Sequence, residues 1–165
     1  PDVICMSKSL TAGLIPMAVT SCTQNIYDAF YSDDMGKGLF HAHTYTANPL
    51  SCAAAIAGID LLMSDKIQKA MHRIHTSHLR FAEKVQQHPK VKSTRVTGVI
   101  FALDLAIEME RYGDLRDQIF NHFKREGVFL RPLGSTIYIL AAFTISSEQL
   151  QKIYSSIEQL LNDFN

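Results

Sequence analysis

The sequence lacks an excess of charge of either sign, a long apolar run and a secretory leader pattern. Lysine plus arginine and aspartate plus glutamate each number 16 among 165 residues, so charge indicates neither a nucleic acid nor a membrane surface as a partner. No apolar run approaches the roughly 18 residues that span a membrane, and no charged-then-apolar opening of a signal peptide is found. With 47% hydrophobic and 19% charged residues, we expect a packed globular protein.

Cysteine is scarce, and its spacing carries no pattern. Cys5, Cys22 and Cys52 are far apart, and each lies in an apolar stretch. An odd number of cysteines without a Cys-x-x-Cys pair predicts neither a disulfide framework nor a zinc site. We therefore expect reduced thiols in the core of a cytoplasmic protein.

The stretch Val3 to Gly13 is the most informative part of the chain. Its apolar beginning predicts a short buried strand, and the serine, threonine and glycine that follow predict a loop. Lys8 is therefore placed at the C-terminal end of a strand, where open α/β sheets bind their ligands. A lysine amine held there can attack a carbonyl carbon and form a Schiff base. The alternative is a lysine that ends a strand and points into solvent.

A second candidate site precedes a predicted helix. Asn48 and Pro49 are typical N-cap and first-turn residues, and residues 38–47 before them predict an extended, largely buried loop. His43 and Thr44 in this loop offer a hydroxyl and backbone amides close to a helix start. That arrangement favours an anion-binding site.

The remaining elements follow from periodicity and turn residues. Helices are predicted at 25–31, 50–63, 65–87, 114–126 and 147–161. Strands are predicted at 3–6, at 17–22, on both sides of Gly98 between 91 and 105, and at 128–131 and 137–140, the last two as a hairpin-like pair. Small residues around Gly58 predict a close approach of that helix to another backbone. We expect residues 89–165 to form a compact β-α-β-β-α unit.

Three histidines on the predicted helix 65–87 raise the question of a metal site. His78 falls on the apolar stripe of the helix, whereas His72 and His75 lie off it. No cysteine or carboxylate joins them at a ligand spacing. We therefore expect solvated or hydrogen-bonded histidines and no metal.

Arg131 lies at the end of a predicted strand, beside Pro132. A guanidinium fixed there could bind a carboxylate through two hydrogen bonds, and a surface ion pair is the alternative. A nucleophilic lysine, an anion site and a carboxylate-binding arginine are together what a pyridoxal-phosphate enzyme needs around an amino acid or keto acid.

Three segments of the chain resemble the class III pyridoxal-phosphate aminotransferases. The stretch SKSLTAG at 7–13 is similar to their cofactor-lysine segment, and FHAHTYTANPLSCAA at 40–54 to their phosphate loop and the following helix. The stretch GVFLRPLG at 127–134 resembles the substrate-carboxylate segment of one subfamily, the adenosylmethionine–8-amino-7-oxononanoate aminotransferases of biotin biosynthesis.

The resemblance implies an α/β fold, the C-terminal part of a pyridoxal-phosphate-dependent transferase of fold type I. Residues 1–64 would be the end of the large domain, 65–88 a long linking helix and 89–165 an α+β small domain. In this family the other cofactor contacts lie upstream of the lysine. Because the chain starts at Pro1, directly before a predicted strand, we expect a C-terminal fragment that is inactive on its own.

The resemblance also implies roles for the site residues. Lys8 would form the Schiff base with pyridoxal 5′-phosphate and move a proton between substrate and cofactor. His43 and Thr44 would hold the cofactor phosphate, on a loop that reaches across a homodimer interface. Substrate contacts are implied for Ala42, Arg131 and Tyr138, with the arginine binding the carboxylate of the keto substrate.

The implied activity is transfer of an amino group from S-adenosylmethionine to 8-amino-7-oxononanoate, which gives 7,8-diaminononanoate. Small-molecule substrates and a cytoplasmic homodimer are expected with it. Two alternatives stay open: another class III ω-aminotransferase that acts on a different amine, and a fragment that is inactive alone.

Overall fold

A computed structural model of the chain describes residues 1–107 and 113–163. The chain divides into two units, Pro1–Ser64 and Asp65–Asn165. The first unit contains β1 (Val3–Ser7), β2 (Ala18–Cys22), α1 (Gln24–Phe30) and α2 (Pro49–Met63). The second contains α3 (Asp65–Val85), β3 (Val91–Thr97), β4 (Ile100–Leu105), α4 (Asp114–Arg125), β5 (Thr136–Leu140) and α5 (Ser147–Asp163). All five predicted helices are confirmed, as are all the predicted strands except 128–131.

Strands β1 and β2 of the first unit form an antiparallel pair, in a register that joins Val3 to Cys22 and Ser7 to Ala18. The predicted burial of β1 is wrong for this chain, because all five of its residues are exposed. Val3 and Ile4 are 48% and 45% exposed, and consecutive strand residues point to opposite faces. Neither face of β1 is therefore covered within this unit.

The three cysteines are free, as predicted, but they do not lie in a core. Cys5 and Cys22 are exposed on the β1–β2 pair, and Cys52 on α2 is partly exposed. The reason is the same as for β1, since no second layer of the first unit covers these two strands.

Helix α2 begins as its sequence predicts. The Asn48 side chain accepts hydrogen bonds from the backbone N–H groups of Leu50, at 2.9 Å, and Ser51, at 3.5 Å. The predicted close backbone approach is also confirmed, since a Cβ on Gly58 would lie 2.6 Å from the carbonyl oxygen of Leu10. The predicted burial of the loop before this helix is wrong for this chain, since Phe40 in the loop is 79% exposed.

The second unit is built on an antiparallel sheet with the strand order β3-β4-β5. Strands β3 and β4 form a hairpin around Gly98, whose φ is +55°. Strand β5 pairs with β4, in a register that sets Phe101 against Ile139. The predicted pairing of 128–131 with 137–140 is wrong. The sequential order is therefore β-β-α-β-α and not β-α-β-β-α.

Two features of the chain disfavour a strand at 128–131, one local and one from the rest of the sheet. Pro132 has no backbone N–H to donate to a ladder, and only the bridge Leu133↔Thr136 forms between the two arms of the turn. Strand β4 offers β5 a full ladder instead, with alternating apolar residues on the matching face.

One face of this sheet packs into the core of the second unit. Helix α3 packs on β3 and β4, and α4 packs on α5. Helix α4 ends in a Schellman motif, in which Gly127 donates to the Lys124 carbonyl and Val128 to the Phe123 carbonyl. The side chains buried most deeply in this core, apart from one histidine, are Ile74, Phe101, Leu103, Ile119, Phe123, Ile137, Ile139, Leu150 and Ile157.

His78 is that buried histidine, and it is fully hydrogen-bonded. Its Nε2 lies 3.1 Å from the carbonyl oxygen of Val99, and its Nδ1 lies 2.7 Å from the hydroxyl of Tyr154. Because the carbonyl can only accept, Nε2 carries the proton and Nδ1 accepts from the tyrosine. His75 is also satisfied, with Nδ1 2.8 Å from the Gly98 carbonyl oxygen. Among residues 1–107 and 113–163, no group of side chains suited to a metal is present.

The buried His78 predicts that the chain loses stability in mild acid. Burial lowers the pKa of His78 and nearby His75 adds to this, while the bond to Val99 opposes it. In the unfolded chain this histidine has the ordinary pKa of 6.5. Below that pH the unfolded chain therefore binds a proton at His78 more readily than the folded chain does. The free energy of unfolding should therefore fall as pH drops from 7 to 5, by up to about 1.4 kcal/mol per pH unit.

Denaturant unfolding at several pH values measures this slope. His78→Gln should flatten it, whereas His72→Gln, at an exposed position on the same helix, should leave it unchanged. An equal slope in wild type and His78→Gln would contradict the assignment.

Candidate active site

Lys8 opens the turn that joins β1 to β2. Its φ is +52°, which is uncommon for a residue with a side chain. Ala12 has the same φ and precedes Gly13, at +83°. Such conformations in non-glycine residues cost on the order of 1–3 kcal/mol each and concentrate at functional sites. The structure thus places Lys8 on a strained turn, with its side chain exposed in this chain.

Hydrogen bonds hold this turn in place. Ala12 donates to the Ser9 carbonyl at 3.1 Å, and Leu14 donates to the Thr11 carbonyl at 3.0 Å. The Thr11 hydroxyl donates to the Ile15 carbonyl at 2.6 Å. Thr11 is only 4% exposed, in contrast to the residues around it.

A second turn carries His43 and Thr44. Thr46 closes it, because its N–H donates to the His43 carbonyl at 2.9 Å and its hydroxyl accepts from the His43 N–H at 3.1 Å. The Tyr45 N–H donates to Nδ1 of His43 at 3.1 Å. Neutral His43 therefore carries its proton on Nε2, which is left as a donor. Ala42 lies directly before it, in the same exposed segment.

The helix that follows this turn does not leave its first amides free as donors. The first amides of α2, those of Leu50 and Ser51, are bonded to Asn48. The Asn48 side chain therefore caps the start of α2. The turn itself offers two side-chain donors, the His43 Nε2–H and the Thr44 hydroxyl, which has no hydrogen-bond partner among the described residues. Both groups suit a phosphate, whose oxygens only accept.

Arg131 and Tyr138 lie in the second unit, on either side of a tight turn. Leu133 and Thr136 exchange two hydrogen bonds, at 2.9 and 3.1 Å, across Gly134 and Ser135. Among the described residues the two arms pair only at this bridge, and Tyr138 pairs with Ala102 of β4 instead. Both side chains are exposed. The structure therefore places Arg131 before this turn and Tyr138 after it, on β5.

The sequence reasoning missed a polar cluster that supports this turn. Asp104 on β4 accepts from Arg95 through both carboxylate oxygens, and from Ser93 at 2.7 Å and Thr136 at 2.6 Å. The Arg95 guanidinium, followed by the Thr136 and Ser93 hydroxyls, holds the pKa of Asp104 well below its usual range. These bonds join all three strands at the start of β5. The signal available in the sequence was a carboxylate between the apolar residues Leu103 and Leu105.

The family model described as aminotransferase class-III matches residues 1–161. The chain belongs to the class-III aminotransferase family. This class-III chain is 40% identical, over 164 residues, to an adenosylmethionine-8-amino-7-oxononanoate aminotransferase of Synechococcus elongatus, covering 99% of the chain and 38% of that relative. A protein of the same name from Geobacter sulfurreducens is 34% identical over 175 residues, covering 98% of the chain and 37% of that relative.

Solved structures show that the chain has a class-III aminotransferase fold. The adenosylmethionine-8-amino-7-oxononanoate aminotransferase of Methanocaldococcus jannaschii superimposes with a TM-score of 0.86 at 23% identity, over 99% of the chain and 39% of that structure. An amine transaminase from an uncultivated Pseudomonas species, in its PLP-bound form, superimposes with a TM-score of 0.85 at 25% identity, over 100% of the chain and 39% of that structure. The predicted α/β fold class, that of a pyridoxal-phosphate-dependent transferase, is thereby confirmed.

The chain spans about 38% of the length of the curated relative it matches at 40% identity. Among its described residues, no helix combines the length and apolar character needed to cross a bilayer.

Proposed function

We propose that the complete protein transfers an amino group from S-adenosylmethionine to 8-amino-7-oxononanoate, giving 7,8-diaminononanoate in biotin biosynthesis. The observation that carries this proposal is the 40% identity to the Synechococcus protein of that name, over 99% of the chain. The substrates are small molecules, and pyridoxal 5′-phosphate is the cofactor of the family.

Residues of the first unit fit this cofactor. The Lys8 amine would hold it covalently, and the donors on His43 and Thr44 suit its phosphate. When bound, the cofactor supplies an electron sink that acidifies the C–H bond next to the substrate nitrogen. Lys8 Nζ would accept that proton and return it, as a general base and then a general acid.

Residues of the second unit fit the keto substrate. Its carboxylate needs a fixed cation, and the guanidinium of Arg131 offers two parallel donors. Arg131 stands on a segment whose alternate residues Val128, Leu130 and Pro132 are buried, which fixes its backbone. Tyr138, and Ala42 of the first unit, are proposed as further substrate contacts.

Assembly and domain limits belong to the same proposal. A cytoplasmic homodimer, with each His43–Thr44 turn serving the partner's site, agrees with the exposure of that turn and with three free thiols. The large domain would end at residue 64, with 65–88 as the linking helix and 89–165 as the small domain. The division of the chain after Ser64 supports the first of these limits.

Another class III ω-aminotransferase is the second candidate. The amine transaminase from Pseudomonas, at a TM-score of 0.85 and 25% identity, favours it. Lys8 and the Asn48–Pro49 helix start would serve either enzyme, so only the amino donor and the keto substrate separate the two.

A donor assay tests the proposed function. The complete protein should turn over 8-amino-7-oxononanoate with S-adenosylmethionine at least about tenfold faster than with other amines, since a site built for one polar substrate rejects others strongly. Absence of adenosylmethionine-dependent turnover would overturn the proposal and favour the ω-aminotransferase. The 165-residue chain alone is the matched control and should show at most feeble activity, because it spans about 38% of the relative.

A further inference from the structure

We propose that Thr11 and Gly58 are positioning residues that fix the backbone of the lysine turn, and with it the direction in which Lys8 Nζ reaches a carbonyl group. The inference rests on the proposed role of Lys8 and adds to it two residues that act through the turn. Their contacts are made with main-chain atoms of residues 10–15.

Thr11 closes the turn from within. Its hydroxyl donates to the Ile15 carbonyl at 2.6 Å, so it ties the residues after Lys8 to the chain that leads into β2. Thr11 is 4% exposed, whereas Lys8, Ser9, Ala12 and Gly13 are exposed. Without this hydroxyl, the part of the turn that follows Lys8 would lose its side-chain tie to the entry of β2.

Gly58 limits the turn from outside. A Cβ on Gly58 would lie 2.6 Å from the Leu10 carbonyl oxygen, 3.6 Å from the Leu10 carbonyl carbon and 3.9 Å from the Thr11 Cα. Cβ atoms essentially never come within 3.0 Å of a heavy atom outside their own residue and its chain neighbours. Any side chain at this position must therefore displace either α2 or the backbone two residues after Lys8.

The conformations of the turn explain why it needs these two contacts. Lys8 and Ala12 both have a φ of +52°, a conformation that residues with a Cβ leave readily when the surroundings allow it. Rotation of φ at Lys8 would swing the side chain away from its present direction. Thr11, and the Leu10 backbone that lies against Gly58, are between these two strained residues in the turn. Their contacts therefore hold the strain in place.

Reductive labelling tests the inference on the complete protein freed of cofactor. Pyridoxal 5′-phosphate is the probe: the Lys8 amine condenses with its aldehyde and releases water. Borohydride then delivers hydride to that carbon and leaves a stable secondary amine. The initial rate of labelling at Lys8 is measured by peptide mapping, relative to the rate at the exposed Lys37 in the same sample.

The expected result is a loss specific to Lys8. Thr11→Val should lower the Lys8 to Lys37 ratio at least about tenfold, as the mispositioning of a reacting group does, and Thr11→Ser should restore it. Thr20→Val is the matched control, because it removes a hydroxyl from the same hairpin. Among the described residues that hydroxyl has one hydrogen-bond partner, Cys5 Sγ at 3.7 Å, so its loss should leave the ratio unchanged.

Gly58→Ala provides an independent test if Thr11→Val fails to fold. Alanine stabilises a helix interior relative to glycine by roughly 1 kcal/mol, so a lower ratio in Gly58→Ala reflects displacement of the turn and not a weaker helix. A wild-type ratio in Gly58→Ala, or in a folded Thr11→Val, overturns the inference. Absence of Lys8 labelling in the wild type would instead refute the proposed role of Lys8 itself.

Discussion

Replacement of Lys8 by alanine is expected to abolish both the covalent attachment of pyridoxal 5′-phosphate and amino transfer by the complete enzyme. One amine would serve as the attachment point and as the acid–base group, so a single change removes both. Loss of the acid–base group alone lowers the rate by roughly 10²–10⁴-fold. We therefore expect kcat/KM with S-adenosylmethionine and 8-amino-7-oxononanoate to fall at least about 10³-fold.

The control for this prediction is Lys37→Ala. Lys37 is an exposed lysine of the same unit, in a short 3-10 turn, and its loss should change neither labelling nor kcat/KM appreciably. Borohydride labelling followed by peptide mapping gives the readout for attachment. A Lys8→Ala enzyme that keeps more than about a tenth of its turnover would exclude Lys8 as the acid–base group.

The elements that could be predicted are those whose signals are local. Asn48 caps α2 through the hydrogen bond that an N-cap residue makes. Gly127 ends α4 with a φ of +67°, a left-handed conformation that glycine adopts more readily than other residues. Gly98 reverses the chain between β3 and β4 for the same reason. Each of these residues acts on neighbours a few positions away, so its effect can be predicted from the local sequence.

Pairing and burial could not be predicted in this way. The choice of β4 over 128–131 as the partner of β5 depends on which apolar face is available across the sheet, and the residues concerned are about 35 positions apart. The exposure of β1 depends on which layers cover it, and alternation along one strand does not reveal them. Local pattern therefore identified the strands apart from 128–131, which is not a strand, but it did not identify their neighbours.

Some features of the candidate site could likewise be predicted from the local sequence, and others could not. A lysine after an apolar run, and His43 with Thr44 before a capped helix, can be read from the sequence, because residue type and order are the signal. The positive φ of Lys8 and Ala12 could not be read, since both residue types disfavour it. The hydrogen bond of the Thr11 hydroxyl and the Asp104 cluster could not be read either, because their partners are set by folding.

The largest expected loss of stability follows from Phe101→Ala. Phe101 is 0% exposed, and its ring lies 5.2 Å from the ring of Phe81 and 5.8 Å from that of His78. Removal of a fully buried phenylalanine costs about 3–5 kcal/mol, because the transfer free energy is lost and a cavity remains. Since a domain is typically stable by about 5–15 kcal/mol, the second unit should lose a large part of its stability.

Phe129→Ala is the matched control, because Phe129 is 81% exposed and contacts Phe120 edge-on. Its loss should cost less than about 1 kcal/mol. Denaturant midpoints of the two variants, compared with wild type, measure the difference. Because both rings that pack against Phe101 lie on α3, within the second unit, similar midpoints for the two variants would mean that this unit does not depend on its own core.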